Sequence, residues 1–251
     1  MNILISSVLA TGRTTINNAA KEPEVIDLGN FLLRMGANIE GLGTSTIQIN
    51  GVKKLNGCDY TIISDRIEAA TYLAIGAVSD GDGITIKNVN TNDLEIVIKT
   101  LQDMGHNITL NNDTITIKKG INLSNVDIIT NPYPGFPTDL NPIFSVLLTQ
   151  INGENSITET VFNNRFSHIS ELNKMGANVK ITNNKTIITG QTELKCNFVE
   201  AKDLRCAAAF VVASLISRCS TTIDNIDYLL RGYEHPIEKL KCLNINARIE
   251  N

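Results

Sequence analysis

The chain reads as an α/β protein built from a repeated helix–strand–helix–strand–strand unit, with apolar helices inside and sheets around them. Three observations predict this. The phrase "LLRMGANIE" (Leu32–Glu40) recurs as "LQDMGHNIT" (Leu101–Thr109) and "LNKMGANVK" (Leu172–Lys180), so the Met-Gly pairs start at 35, 104 and 175, spaced by 69 and 71 residues. A second phrase interleaves with the first: an Asp, an Ala/Leu/Ile-rich run, a break, then a Thr/Ile strand, starting at Asp65, Asp139 and Asp203. The two kinds of helix also differ in character, and a period of about 70 residues is long enough for one layered unit rather than a short solenoid turn.

Each element follows from local chemistry. In the Met-Gly phrases a helix-like stretch ends at Gly, the residue that best adopts the left-handed cap, and an alternating strand follows. A worn fourth copy is "LKCLNINARIE" (Leu240–Glu250), where Asn244 stands in the Gly position; Asn is the next-best left-handed residue. The Asp-led stretches "SDRIEAATYLAIGAV", "TDLNPIFSVLLTQI" and "KDLRCAAAFVVASLI" are apolar nearly all round, which predicts burial on more than one side. The N-terminal "ILISSVLATGRTTINNA" is the same unit without its start. Helices such as "NRFSHISELNKMG" are amphipathic and are expected outside, with His168 on the exposed side. Coils are expected at Leu55–Tyr60 and Lys119–Asn131.

Bulk properties exclude several classes. The chain has 251 residues, 42% hydrophobic and 19% charged, with 22 basic against 26 acidic side chains and a net charge of −4. No block of like charge appears, so neither a nucleic-acid nor a membrane footprint is expected. The longest apolar run, Cys206 to Ile216, is about half of a membrane crossing. No basic region precedes the first apolar stretch, and the five cysteines are dispersed without CxxC spacing. They read as reduced thiols, and the expected compartment is the cytoplasm. Three histidines without ligand spacing predict no metal site.

Candidate chemistry gathers at the helix starts. Asp65, Asp139 and Asp203 are either N-caps, for which Asp is favoured, or carboxylates projected into a site. Arg66 and Arg205 follow their aspartates at helix N-termini, where a cation opposes the macrodipole and wants an ion pair or an anionic ligand. Arg165 and Arg231 precede helices of the second type. Four arginines at corresponding junctions favour an anion held by bidentate contacts over solvated surface cations. Four of the six prolines lie between Pro132 and Pro142, a stiff approach to Asp139. Cys206 reads as an inert core thiol.

At "PYPGFPTDL", "TETVFNNRFSHISELNKMGA", "DLR" and "RGYE" the chain resembles the UDP-N-acetylglucosamine 1-carboxyvinyltransferase family; "NAAKEPE" and "DRIEAATY" belong to the same resemblance. The resemblance implies an inside-out α/β barrel of the enolpyruvyl transferase type, truncated at its N-terminus, with two three-repeat domains and a site in the cleft between them. Residues 1–63 would be a single repeat of the sugar-nucleotide domain, and 64–251 the near-complete other domain. The implied reaction moves enolpyruvyl from phosphoenolpyruvate to the 3-hydroxyl of UDP-N-acetylglucosamine and releases phosphate, with no metal or organic cofactor. Asp139 matches the proposed base at the sugar hydroxyl, Val161 and Phe162 a sugar-nucleotide wall, and Arg165 and Arg231 the cations on phosphoenolpyruvate and phosphate. Asp203 and Arg205, with Asp65 and Arg66, match supporting positions.

The departures from the family are expectations too. The Lys-Asn pair and the mobile cysteine loop of the family lie in a portion absent from this chain. Asn141 stands where Gln is usual, and Leu230 where Asp usually precedes the arginine. Either the chain acts with an N-terminal fragment as partner, or it is a remnant that binds sugar nucleotide weakly without turnover. An unrelated binding module using the repeats as scaffold is the third reading. A lone repeat at residues 1–63 is expected to leave apolar helix surface or a strand edge uncovered.

Overall fold

The computed structural model describes residues 1–217 and 219–250. It separates into two compact units, Met1–Ser64 with Pro132–Gly135, and Asp65–Asn131 with Phe136 onward.

The first unit is one repeat. Helix α1 (Asn2–Ser7) leads to β1 (Arg13–Asn17), α2 (Pro23–Arg34), β2 (Asn38–Glu40) and β3 (Thr46–Asn50). Proline at the first turn and Glu24 beside it start α2, Arg34 closes it, and Gly36 takes φ +98°. The three strands form an antiparallel sheet in the order β1-β3-β2. Leu4, Val8, Val25, Leu32, Ile39, Ile47 and Ile49 make its core. Ile3 and Ile5 on α1 and Leu9 just after it remain 51–60% exposed. The Leu55–Tyr60 coil is pinned at its end, where the Tyr60 hydroxyl donates to Asp27 Oδ1 at 2.7 Å.

The second unit repeats the plan. Helix α3 (Arg66–Val78) is followed by β4 (Ile84–Ile86), α4 (Glu95–Asp103), β5 (Asn107–Asn111) and β6 (Thr114–Lys118). Next come β7 (Asp127–Ile129), α5 (Asn141–Leu148), β8 (Gly153–Thr158), α6 (Ile169–Lys174), β9 (Asn178–Thr182) and β10 (Lys185–Gly190). The last elements are β11 (Phe198–Glu200), α7 (Leu204–Ser217), β12 (Thr222–Asp224), α8 (Asp227–Leu230) and α9 (Pro236–Cys242). The sheets run β4-β6-β5, β7-β8-β10-β9 and β11-β12. The apolar helices α3, α5 and α7 pack against one another, and every residue of α5 is buried. All-round apolarity therefore did mean burial on several sides.

One turn recurs in all four copies. The amide after the helix-ending residue donates back to the helix: Ala37 to Leu32, His106 to Leu101, Ala177 to Leu172 and Ile245 to Leu240, at 3.0–3.2 Å. The cap residue takes φ +98°, +98° and +99° at Gly36, Gly105 and Gly176, and +59° at Asn244. This is the left-handed cap that the phrase requires.

Three expectations are corrected. His168 is 0% exposed, because it opens α6 on the side facing the core rather than solvent. Cys196 and Cys219 are not free thiols: their Cα atoms lie 5.7 Å apart and the side chains form a disulfide. The Lys119–Asn131 stretch is not all coil, since β7 pairs parallel with β8. Cys206 is buried, and burial pushes its thiol up to about 11. Among the described residues no helix is long and apolar enough to cross a membrane.

Candidate functional site

The three helix-opening aspartates part company in the structure. Asp65 caps α3, its carboxylate accepting from the Ile67 and Glu68 amides at 2.7 and 3.1 Å. Asp203 does the same for α7, accepting from the Arg205 and Cys206 amides at 2.8 and 2.9 Å. Asp139 caps nothing. It sits inside a tight 3-10 turn, Thr138–Leu140, ahead of α5, and no side-chain capping bond is made there. The stiff proline approach thus leaves its carboxylate free for other partners, correcting the expectation that all three open helices alike.

Those partners are two arginines. Asp139 Oδ1 accepts from Arg205 Nε at 3.0 Å and from Arg165 Nη1 at 3.2 Å. The arginine side chains are only 19% and 16% exposed, and Asp139 is 33% exposed. Burial works against the Arg205 charge, but Asp139 beside it more than offsets this and holds its pKa above the usual value. Two guanidiniums therefore share one carboxylate in a partly desolvated place, where attraction between charges is stronger than in water.

Each arginine is fixed from behind. The guanidinium of Arg165 lies 4.5 Å over the Phe162 ring. Arg205 and Tyr233 act on one another electrostatically, and the Tyr233 hydroxyl lies 2.7 Å from the Thr71 hydroxyl inside the unit. Asp203 Oδ2 accepts from the Ser167 hydroxyl at 3.1 Å, tying the Arg165 segment to the start of α7. Burial raises the Asp203 pKa, yet these donors outweigh it and the carboxyl is held below its usual range.

Glu159 is the hidden anchor. It is 4% exposed. Its Oε1 accepts from the Thr130 hydroxyl at 2.7 Å and from the Val161 and Phe162 amides at 2.9 Å. Its Oε2 accepts from Thr138 and Asn141 side chains at 2.9 Å. One carboxylate therefore clasps both the turn bearing Asp139 and the segment bearing Val161 and Phe162. Burial raises its pKa, but the bonds from Asn141, Phe162, Thr130 and Val161 win and lower it. With backbones held in this way, the side chains of Val161 and Phe162 stand 43% and 53% exposed beside Arg165.

His168 lies behind this arrangement. Both ring nitrogens lack a hydrogen-bond partner among the described residues. Burial lowers its pKa to about 3, with Asp203 pulling upward and Arg165 pushing down. It is a neutral core imidazole at neutral pH.

The other named residues are placed differently. Arg66 opens α3 beside Asp65. Arg231 ends α8, its guanidinium 4.8 Å over the Tyr228 ring, and no ion pair joins it to Asp139 among the described residues. Sequence reasoning missed Glu159, Ser167 and Tyr233. Glu159 and Ser167 lie in segments without periodicity, and only their place inside "TETVF" and "NRFSH" could have flagged them. Among the described residues no three His, Cys, Asp or Glu side chains are grouped to hold a metal. The assembly is suited to an anion and to a hydroxyl that can bond to Asp139.

Comparison with known proteins places the chain in a family. UDP-N-acetylglucosamine 1-carboxyvinyltransferase 2 of Bacillus cereus is 45% identical over 246 residues, covering 98% of this chain and 57% of that protein. The protein of the same name from Clostridium acetobutylicum is 44% identical over 250 residues, covering 100% of this chain and 60% of its own length. The chain thus spans less than two thirds of the curated relatives it matches. Among solved structures, the enolpyruvyl transferase NikO from Streptomyces tendae superposes with a TM-score of 0.87 at 26% identity, over 98% of this chain and 58% of that one. EPSP synthase from Acinetobacter baumannii shares the fold, with a TM-score of 0.75 at 21% identity over 96% of this chain and 58% of that one. The family model of EPSP synthase (3-phosphoshikimate 1-carboxyvinyltransferase) matches residues 1–240, and the chain belongs to that family of enolpyruvyl-transferring enzymes.

Proposed function

We propose that this chain is the C-terminal portion of a UDP-N-acetylglucosamine 1-carboxyvinyltransferase. It takes part in moving the enolpyruvyl group of phosphoenolpyruvate to the sugar 3-hydroxyl with release of phosphate, the committing step of peptidoglycan synthesis in the cytoplasm. The observation that carries the reading is Asp139 held by Arg165 and Arg205. In the absence of substrate the carboxylate neutralises part of the arginine charge. An anionic substrate that engages Arg165, with Arg231 brought to the same anion, loosens that hold and turns Asp139 toward the sugar hydroxyl.

The steps then follow. Asp139 accepts the hydroxyl proton as the sugar oxygen bonds to C2 of phosphoenolpyruvate, while C3 takes up a proton from a donor outside this chain. Loss of a C3 proton and cleavage of the C2–O bond to phosphate complete the transfer. Arginines oriented beforehand stabilise the charge on the departing phosphate. Val161 and Phe162 form an exposed apolar wall suited to the sugar nucleotide. Asp203, Arg205, Asp65 and Arg66 support the two helix starts.

In this reading residues 1–63 are one repeat of the sugar-nucleotide domain and 64–251 the other domain, and an N-terminal fragment supplies the proton donor. Phosphate release from phosphoenolpyruvate and UDP-N-acetylglucosamine tests this, with the chain alone and with the N-terminal part of the Bacillus cereus relative added. Turnover only in the mixture supports the reading. Robust turnover by the chain alone removes the need for a partner. Binding of sugar nucleotide without turnover in either case assigns the chain as a catalytically dead remnant.

A further inference from the structure

The three apolar helices of the second unit end around one cavity. Ala77 and Val78 lie in the last turn of α3, Leu147 in that of α5, and Leu215 and Ile216 in that of α7, and all of them line a space of about 520 Å3. That volume falls inside the range of small-molecule sites, about 300–1,000 Å3. The arginine cluster lies at the other end of these helices. From Arg205 in the first turn of α7 to Leu215 in its last turn the helix rises roughly 15 Å.

Two polar side chains of the lining each keep one hydrogen-bonding atom unused. His106 is 6% exposed, and its Nδ1 accepts from the Gly120 amide at 3.2 Å. The ring proton of the neutral imidazole is therefore on Nε2, a donor with no partner among the described residues. Burial, with Lys119 nearby, lowers the His106 pKa to about 4, so the ring is neutral at neutral pH. A buried donor in this condition calls for a water or a ligand. Gln150 is the complement. Its Nε2 donates to the Thr149 hydroxyl at 2.9 Å and to the Thr192 carbonyl at 3.0 Å. A carbonyl only accepts, so the orientation of the amide is settled, and Oε1 is an acceptor with no partner among the described residues.

Charge decides the class of ligand. Lys119 and Asp80, the charged side chains of the described lining, are paired with each other at 3.0 Å. The helix ends turn the negative pole of their dipoles toward the cavity, which opposes an anion. The Lys119 ammonium beside His106 opposes a cation there. A neutral ligand meets neither objection. Leu123 and Leu243 join the helix ends in an apolar wall, which asks for an apolar body.

We propose that this cavity binds a small neutral molecule carrying an amide or lactam group on an apolar body, its carbonyl accepting from His106 Nε2 and its N–H donating to Gln150 Oε1. The site is independent of the transferase reading, because none of its residues belongs to the arginine cluster.

The probe is N-phenylacetamide, titrated into the 251-residue chain and followed by nuclear magnetic resonance at the Gly120 amide and the methyl groups of Leu147, Leu215 and Leu243. Saturable shifts at these positions are expected, and excess phosphoenolpyruvate should leave them unchanged. Three analogues of similar shape separate the contributions: isobutylbenzene lacks the amide, phenylacetate is an anion and phenethylamine is a cation. Each is expected to bind at least about fivefold more weakly, the effect of losing a hydrogen bond. His106→Phe keeps a ring and removes the donor, so it should weaken N-phenylacetamide about fivefold and leave isobutylbenzene unaffected. If that variant fails to fold, the four probes on the wild-type chain decide the matter alone. Absence of saturable shifts overturns the proposal and leaves His106 to water. Equal or tighter binding of any analogue overturns it too, as does displacement of the probe by phosphoenolpyruvate.

Discussion

Asp139 and Arg205 stand 66 residues apart in sequence and are joined by a 3.0 Å hydrogen bond from Nε to Oδ1. The bond exists because Asp139 is the one helix-opening aspartate with no cap to make. Arg205 can reach it because Asp203 holds the first turn of α7 by its backbone amides. Arg165 is tied to the same helix start, because the Ser167 hydroxyl donates to Asp203 Oδ2. Asp139→Ala in the complemented enzyme is expected to lower phosphate release by about 10²–10⁴-fold, the range of a lost acid–base group, with an unchanged circular dichroism spectrum. Activity surviving within a few-fold would remove Asp139 from the role of base.

Glu159→Gln tests the clasp. The amide puts an NH2 group where one carboxylate oxygen accepts, so either the Thr138 and Asn141 pair or the Thr130, Val161 and Phe162 set loses its acceptor. The expected cost is about 1–3 kcal/mol in urea unfolding. Glu159 and Asp203 both have lowered pKa values when folded. Their contribution is present above the unfolded carboxylate range and is lost as pH falls through the folded values. Wild-type stability should therefore drop in acid, and Glu159→Gln should drop less. A parallel pH profile for the two proteins would show that Glu159 is not the group responsible.

The histidines act with the same sign by a different cause. Burial lowers His106 to about 4 and His168 to about 3. Below about 6.5 the unfolded chain binds protons that the folded chain refuses, so stability falls as pH falls from there toward the folded values. Each histidine adds up to ~1.4 kcal/mol per pH unit in that window. His168→Leu should flatten the slope between pH 6.5 and 4, measured by urea midpoints; an unaltered slope would place a charged, solvated imidazole at this position.

What was legible in the sequence was whatever repeats or has a period. The Met-Gly phrase marks a cap that only a few residues can make, so four copies announce four helix ends. All-round apolarity marks α3, α5 and α7, whereas of the four junction arginines only Arg165 and Arg205 meet at one carboxylate. What was hidden depends on contacts across the fold. The strands β7 and β11 are three residues each, too short to show alternation. His168 looks polar in a one-dimensional pattern, but it is the residue just ahead of the short helix α6 and is fully buried. The Cys196–Cys219 bond spans 23 residues and needs the approach to β11 and the exit from α7 brought together, which no local spacing encodes. That Asp139 makes no cap, unlike Asp65 and Asp203, is a property of the 3-10 turn and not of the residue type.

Asn244 offers a test of the repeat itself. It holds φ +59° where three glycines hold about +98°, and the Ile245 amide still bonds back to Leu240 at 3.0 Å. A side chain with a Cβ pays about 1–2 kcal/mol in this region unless its polar group bonds locally, as Asn and Asp can. Asn244→Ala should therefore lower the thermal midpoint, at a cost of about 1 kcal/mol, while Asn244→Gly should leave it within a few tenths or raise it. If alanine and glycine behaved alike, residue 244 would not be a left-handed cap, and the fourth copy of the phrase would be coincidence. If only alanine destabilises, α9 ends by the same rule as α2, α4 and α6, and residues 245–250 leave it in the direction that the strands β2, β5 and β9 take in theirs.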